Sequence, residues 1–231
     1  MLLLSIDTST RGCSVAVHKD SVLLSSYDLF TDRSSSAMLT TLIKNAVEQA
    51  GYNLNDLDAV AVGKGPGSYT GLRVGVSTAK GLCFALDKPL IAINTLEAMS
   101  LQVIPFFAKD MLFCAMIDAR RMEVYASVFD AENNIILQTK AIIMDENSFV
   151  DLLQDHKIVF FGDGADKCKK LLSENPNAIF INQEIRPSAQ TVGLLAVQAF
   201  INNNFEDLAS FEPYYLKDFM SPPTRKAAVI V

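Results

Sequence analysis

Histidine is scarce in this sequence: two in 231 residues, His18 and His156, far apart along the chain. No H-x-x-x-H pair and no Cys/His cluster occurs, so the usual zinc-ligand spacings are missing. No Ser–His or Cys–His nucleophile pair can be argued from position either. The four cysteines, Cys13, Cys83, Cys114 and Cys168, form no C-x-x-C, and each lies in or beside an apolar stretch. They are expected to be reduced, buried thiols of a cytoplasmic protein. No apolar run approaches the ~20 residues needed to span a bilayer, so no membrane association is expected. Met1-Leu2-Leu3-Leu4 reaches Asp7 too soon, and without a basic leader, to read as a signal peptide. Positive charge is also short. The 20 Lys and Arg against 26 Asp and Glu leave a net charge of −6, which argues against a broad basic face for gripping nucleic acid.

Against these absences stands an ordinary globular composition, 50% hydrophobic and 20% charged, which excludes a disordered chain. The length suits one or two domains with a core that needs no disulfide or metal staple. The order of elements is the informative feature. Leu2–Ile6 is an apolar run ending at Asp7, followed by a polar turn (Thr8 to Gly12), a strand over Cys13–Val17, a turn at His18–Ser21 and a strand over Val22–Tyr27. The same events recur from Met111: an apolar run ending at Asp118, a turn at Ala119-Arg120-Arg121, then strands over Glu123–Phe129 and Ile135–Thr139. A second landmark repeats as well. Ala59–Val62 runs into Gly63-Lys64-Gly65 and a helix, and Ile158–Phe161 runs into Gly162-Asp163-Gly164 and a helix. Asp7 and Asp118 are 111 positions apart, Gly63 and Gly162 99 apart. Two landmarks at nearly one offset imply an internal duplication.

Apolar residues at helical spacing predict helices over Ser35–Ala50 and Ser68–Leu86, with shorter ones over Asn147–Leu153 and Ala189–Asn202. Serines 34–36 can cap the first, and Gly51 ends it. Strands alternating with helices give an α/β chain of two similar lobes, each a mixed sheet flanked by helices. The boundary falls near Gln102–Asp110, dividing the chain into 1–103 and 104–231, with a frayed tail after Thr224.

Two runs invite a chemical reading. Asp7-Thr8-Ser9-Thr10-Arg11 at a strand end could cradle a phosphate with hydroxyls and N–H groups, Asp7 holding Mg²⁺ through water; the plainer reading is a polar turn in which Asp7 satisfies local amides. Its counterpart, Asp118-Ala119-Arg120-Arg121, lacks the small residues that wrap a phosphate, so a symmetric nucleotide clamp is not expected. Gly63-Lys64-Gly65-Pro66-Gly67-Ser68-Tyr69-Thr70-Gly71 precedes a helix and could attract an anion, but its spacing fits neither a P-loop nor a nucleophile elbow. The helix after it carries Gly71, Gly75 and Ala79 on one stripe, plus Gly81. Each interior glycine costs about 0.5–1 kcal/mol against alanine, a penalty that close approach of another backbone would offset. That neighbour is either the helix over Ser35–Ala50 or a separate protein.

Ile6-Asp7-Thr8-Ser9, Gly65-Pro66-Gly67-Ser68-Tyr69-Thr70-Gly71-Leu72-Arg73 and Ala79-Lys80-Gly81-Leu82 resemble the signatures of the TsaB (YeaZ-like) family, within the actin/sugar-kinase/Hsp70 superfold. The likeness is densest over residues 1–100. It continues through Ile117-Asp118, Gly162-Asp163-Gly164 and Pro213-Tyr214-Tyr215-Leu216. The resemblance implies a non-catalytic scaffold for making threonylcarbamoyladenosine in tRNA. The implied partners are a catalytic paralogue, TsaD, and an ATPase, TsaE, with a homodimer when alone and tRNA contacted only indirectly. It also implies that the paralogue's two metal-binding histidines are replaced here by Thr95 and Met99.

The expected partner interface is therefore Leu39, Leu42, Ile43, Val47, Gly71, Leu72, Gly75, Val76 and Ala79. A phosphate or nucleotide site would use Asp7, Thr8, Ser9, Gly65, Gly67, Ser68, Gly162 and Gly164, with ATP or ADP at the complex interface; no catalytic or metal residue is expected. The alternatives are an ATPase or small-molecule kinase of the same superfold, with Asp7 organising Mg²⁺ and Asp118 as base, or a regulatory partner of an unrelated protein such as an acetyltransferase.

Overall fold

The computed structural model describes residues 1–30 and 35–217, with the backbone alone at Ser35 and Ser36. The cap expected from serines 34–36 and the tail after Thr224 fall outside what is described.

The chain builds two five-stranded sheets. In the first, β1 (Leu2–Asp7), β2 (Cys13–Lys19) and β3 (Val22–Leu29) form an antiparallel meander. After α1 (Ser35–Gln49), β4 (Ala59–Gly65) enters parallel to β1, and α2 (Tyr69–Leu86) leads to β5 (Leu90–Asn94) on its far side. The strand order is β3-β2-β1-β4-β5. A short helix α3 (Thr95–Ser100) then crosses to the second lobe, where β6 (Leu112–Asp118), β7 (Glu123–Phe129) and β8 (Ile135–Ile143) repeat the meander. α4 (Val150–Asp155), β9 (Ile158–Phe161), α5 (Ala165–Leu172), β10 (Ala178–Phe180) and α6 (Ala189–Ile201) complete it. Its order is β8-β7-β6-β9-β10, the first sheet's order copied strand for strand. The fold is the duplicated, two-lobed α/β architecture expected from the repeat.

Every residue of β1 is buried, because helices cover both faces of its sheet. Leu2, Leu4 and Ile6 face α1 and α2, meeting Leu39, Ile43, Val47, Val76 and Ala79. Leu3 faces the other way, against Val192 and Ala196 of α6. The last helix of each copy thus seats on the other lobe. α6 lies on β1, β2, β4 and β5, and α3 lies on β6 and β7, where Leu96 and Met99 join Phe113, Ile117 and Phe161 in one apolar cluster. A division at 103/104 separates the two sheets, while α6 belongs by packing to the first lobe. Asn94 Nδ2 donates to Thr139 Oγ1 (2.9 Å) and Gln102 Nε2 to the Arg186 carbonyl (2.8 Å), tying the lobes directly.

Among the described residues, no helix is long and apolar enough to cross a membrane. All four cysteines are buried free thiols, and burial pushes Cys83 and Cys168 up to about 11.

Candidate docking face and the filled phosphate turn

The β1–β2 turn and the glycine run after β4 pack directly on one another. Thr8 Oγ1 donates to the Gly71 carbonyl (2.7 Å), and Ser68 N donates to the Ser9 carbonyl (2.6 Å). Ser9 N and Oγ both donate to Asp7 Oδ1 (2.9 and 2.7 Å). The Ser68 hydroxyl caps α2 by accepting from Gly71 N (3.3 Å). Space explains the glycines. A Cβ at Gly67 would lie under 3.0 Å from the Ser9 carbonyl, one at Gly71 equally close to the Thr8 carbonyl, and one at Gly75 to Thr8 Oγ1. These glycines receive a turn some 60 positions upstream, so the close companion of Gly71 and Gly75 is the β1–β2 turn rather than α1 or a second protein.

This corrects the expected phosphate site. Asp7, Thr8 and Ser9 are buried, and the hydroxyls and N–H groups that would grip a phosphate already serve one another. Gly65 is pressed by the Tyr214 carbonyl, 3.0 Å from where its Cβ would stand. In the second lobe the Gly162 to Gly164 run, which follows β9, closes on the end of the neighbouring strand β6: Gly164 N donates to the Met116 carbonyl (3.3 Å), and Met99 of α3 crowds Gly162. Asp118 pairs with Lys167 (2.7 Å). Although burial raises its carboxyl, Lys167 and the Arg120 N–H together hold it below the usual carboxylate range, an ionised partner rather than a poised base. The Thr8, Ser9 and Ser68 hydroxyls are thus engaged within the chain, and Asp118 is engaged by Lys167. A half-open cavity of about 560 Å³ lies elsewhere, between Phe30, Gln102, Arg186 and Gln190, and contains none of the expected phosphate residues.

Two buried polar atoms beside the first turn have no partner: Asp7 Oδ2 and Thr95 Oγ1, both near Gly63. Burial raises the Asp7 carboxyl to about 6 despite the two bonds from Ser9. Met99 is wholly enclosed in the inter-lobe cluster. No group of three His, Cys, Asp or Glu side chains arranged to hold a metal occurs among the described residues.

The expected interface also needs correction. Leu39, Ile43, Val47, Leu72, Val76 and Ala79 are buried in the first lobe's own core, and Gly75 is buried against Thr8; only Leu42 and Gly71 are half-buried. Helical spacing reports which face is apolar, not what covers it, and here the sheet covers it. The outward face of α2 is Arg73, Ser77, Gly81 and Phe84, and on α1 it includes Met38, Thr41 and Asn45. Phe84 is 84% exposed and Met38 41%. A Cβ on Gly81 would meet nothing within 4 Å, so nothing inside this lobe requires a glycine there. Sequence reasoning passed over Phe84 although its phase was readable: it falls off the core stripe of Leu72, Val76, Ala79 and Cys83.

The family model described as "TsaD: tRNA N6-adenosine threonylcarbamoyltransferase" matches residues 30–221. The tRNA threonylcarbamoyladenosine biosynthesis protein TsaB of Escherichia coli is 28% identical over 222 residues, 94% of this chain and 95% of that one. The solved structure of YeaZ from Pseudomonas aeruginosa superposes with a TM-score of 0.78 at 25% identity, covering 93% of this chain and 99% of that one. The activator of 2-hydroxyisocaproyl-CoA dehydratase from Clostridium difficile shares the fold alone, with a TM-score of 0.51 at 10% identity over 88% of this chain and 97% of that one. This chain therefore belongs to the family of the matched transferase model, and within it to the TsaB (YeaZ-like) proteins.

Proposed function

We propose that the chain is a non-catalytic subunit in the formation of N6-threonylcarbamoyladenosine in tRNA, docking and activating a TsaD-type catalytic paralogue through the outward face of α1 and α2. The name of the Escherichia coli relative supports the pathway. The matched family is named for the transferase itself, which supports a partner built on the same fold and offering equivalent helices. The observation that carries the reading is Phe84, 84% exposed one turn from Gly81, whose outer side is open. A large aromatic beside a glycine lets a second helix approach closely and bury an anchor. Docking of this kind needs about 800 Å² from each partner, which two adjacent helices can supply.

The chain acts by differential binding. It stabilises the competent state of its partner and does no bond chemistry itself. With a net charge of −6 it meets tRNA through that partner. An ATPase of the TsaE type joins the assembly, the same face closes a homodimer when the partner is missing, and the setting is the cytoplasm. The competing reading, an ATPase or kinase acting alone, is disfavoured by the filled turn at Asp7 and the Lys167 bond at Asp118.

Reconstituted threonylcarbamoyl transfer to tRNA tests the proposal. Product should form with the paralogue and this chain together, and be lost when the chain carries Phe84→Asp. Turnover of Mg-ATP by the isolated chain, abolished in Asp7→Ala, would overturn it.

A further inference from the structure

Tyr69 and Arg73 lie in the first two turns of α2. They face a segment that follows α6. Residues 206–217 begin on the outer edge of β5, where Glu206 N donates to the Leu90 carbonyl (2.9 Å). Leu208 and Phe211 then lie on the first-lobe core, and Lys80 of α2 donates to the Phe211 carbonyl (2.9 Å). Tyr215 packs on Tyr69 with ring centres 4.8 Å apart and the rings tilted by 33°. Arg73 lies 4.4 Å over the Tyr69 ring, and its Nε donates to Tyr215 Oη (3.3 Å).

The segment also reaches the other lobe. Tyr214 N donates to the Lys64 carbonyl (2.8 Å), while Tyr214 Oη donates to the Thr139 carbonyl on β8 (3.4 Å). Thr139 is the residue whose hydroxyl takes the direct inter-lobe bond from Asn94. Lys217 pairs with Glu123 on β7 and lies over the Tyr125 ring. The segment therefore crosses the two lobes at the carboxyl ends of β4 and β5, the ends at which open α/β sheets take ligands.

We infer that residues 206–217 are a latch: they hold the two lobes in one relation and fix α2 through Tyr69, Arg73 and Lys80. The same helix turns its outer side to the partner, so the latch sets how the docking face is presented. That second half rests on the docking reading above; the first half does not. Beyond one bridge to β5 the segment has no helix or strand of its own, and its closure depends on a few bonds and ring contacts. Such segments open locally while the rest of the fold stays intact.

Amide hydrogen exchange on the full chain tests this with Tyr214→Ala/Tyr215→Ala. Tyr215 meets α2 at Tyr69 and Arg73, near its start, whereas Gly81 and Phe84 lie near its end. A milder pair, Tyr214→Phe/Tyr215→Phe, removes only the two hydroxyls, keeps the rings and guards against failure to fold. In the alanine pair, exchange should rise about tenfold in residues 64–73 of the first lobe and 137–141 of the second, as expected for losing a hydrogen bond or two. The phenylalanine pair should show a smaller rise in the same places. A rise confined to 212–217 would overturn the latch. Binding of the TsaD-type paralogue, measured alongside, keeps the two ideas apart. Intact binding by Phe84→Asp with fast exchange in the tyrosine variants refutes docking and leaves the latch standing. Lost binding by Phe84→Asp with exchange confined to 212–217 does the reverse.

Discussion

Replacing Gly81 with alanine should make the isolated chain more stable and its partner complex weaker. Gly81 sits inside α2, five residues before its end, and an added Cβ would point into open space. The fold therefore bears the whole conformational penalty of a helical glycine without a packing return. Removing it should contribute about 0.5–1 kcal/mol. For a chain of this size that corresponds to a Tm rise of about 1–4 °C. Thermal unfolding followed by circular dichroism reads it directly. The same methyl group would stand between α2 and a docked helix, so affinity for the TsaD-type paralogue should fall. A lower Tm would mean that the methyl meets something within the lobe. Unchanged affinity would mean that Gly81 lies outside the contact, and the reason given for a glycine there would be wrong.

Gly71→Ala should act in the opposite direction, because its Cβ would press on the Thr8 carbonyl, backbone that cannot step aside; a loss of about 1–3 kcal/mol in chemical denaturation is expected, and no loss would contradict the packing described. Asp7 prefers its proton in the folded state, titrating near 6 against an ordinary 3.8. The stability it contributes is full below pH 3.8 and lost as pH rises through about 6, roughly 3 kcal/mol in all. Denaturation profiles of Asp7→Asn should lack that decline, and a profile parallel to the parent's would refute the assignment. His18 works the other way: burial lowers its imidazole from 6.5, so its contribution is present above pH 6.5 and falls away as pH drops. His18→Gln should flatten that acid limb, and an unchanged limb would exclude His18 as its source.

Much of the fold was legible because buried strands leave long apolar runs. The expected bounds of β7 and β9 match the structure, and β1, β2 and β4 differ only at their ends. The duplication was legible because Asp7/Asp118 and the two G-x-G runs keep nearly one offset. α3 was not, since six residues give no period to count. β10, three residues long and half-buried, left even less to read. In the candidate site, Gly71 and Gly75 were rightly singled out as demanding a close neighbour. That neighbour is Thr8, in a turn that only tertiary folding brings near. Tyr69 and Arg73 likewise answer to Tyr215, across most of the chain. Residues 206–217 carry no periodicity, so nothing in the pattern marked them as a crossing segment.

The most direct test of the account is the affinity of Phe84→Asp for a purified TsaD-type paralogue, measured by calorimetry beside a melting curve of the variant alone. A buried aromatic anchor is worth 2 kcal/mol or more, so the dissociation constant should rise by about thirtyfold or more while the melting curve stays in place. A complex of parental affinity would contradict the proposal that the outward face of α1 and α2 is where this chain does its work.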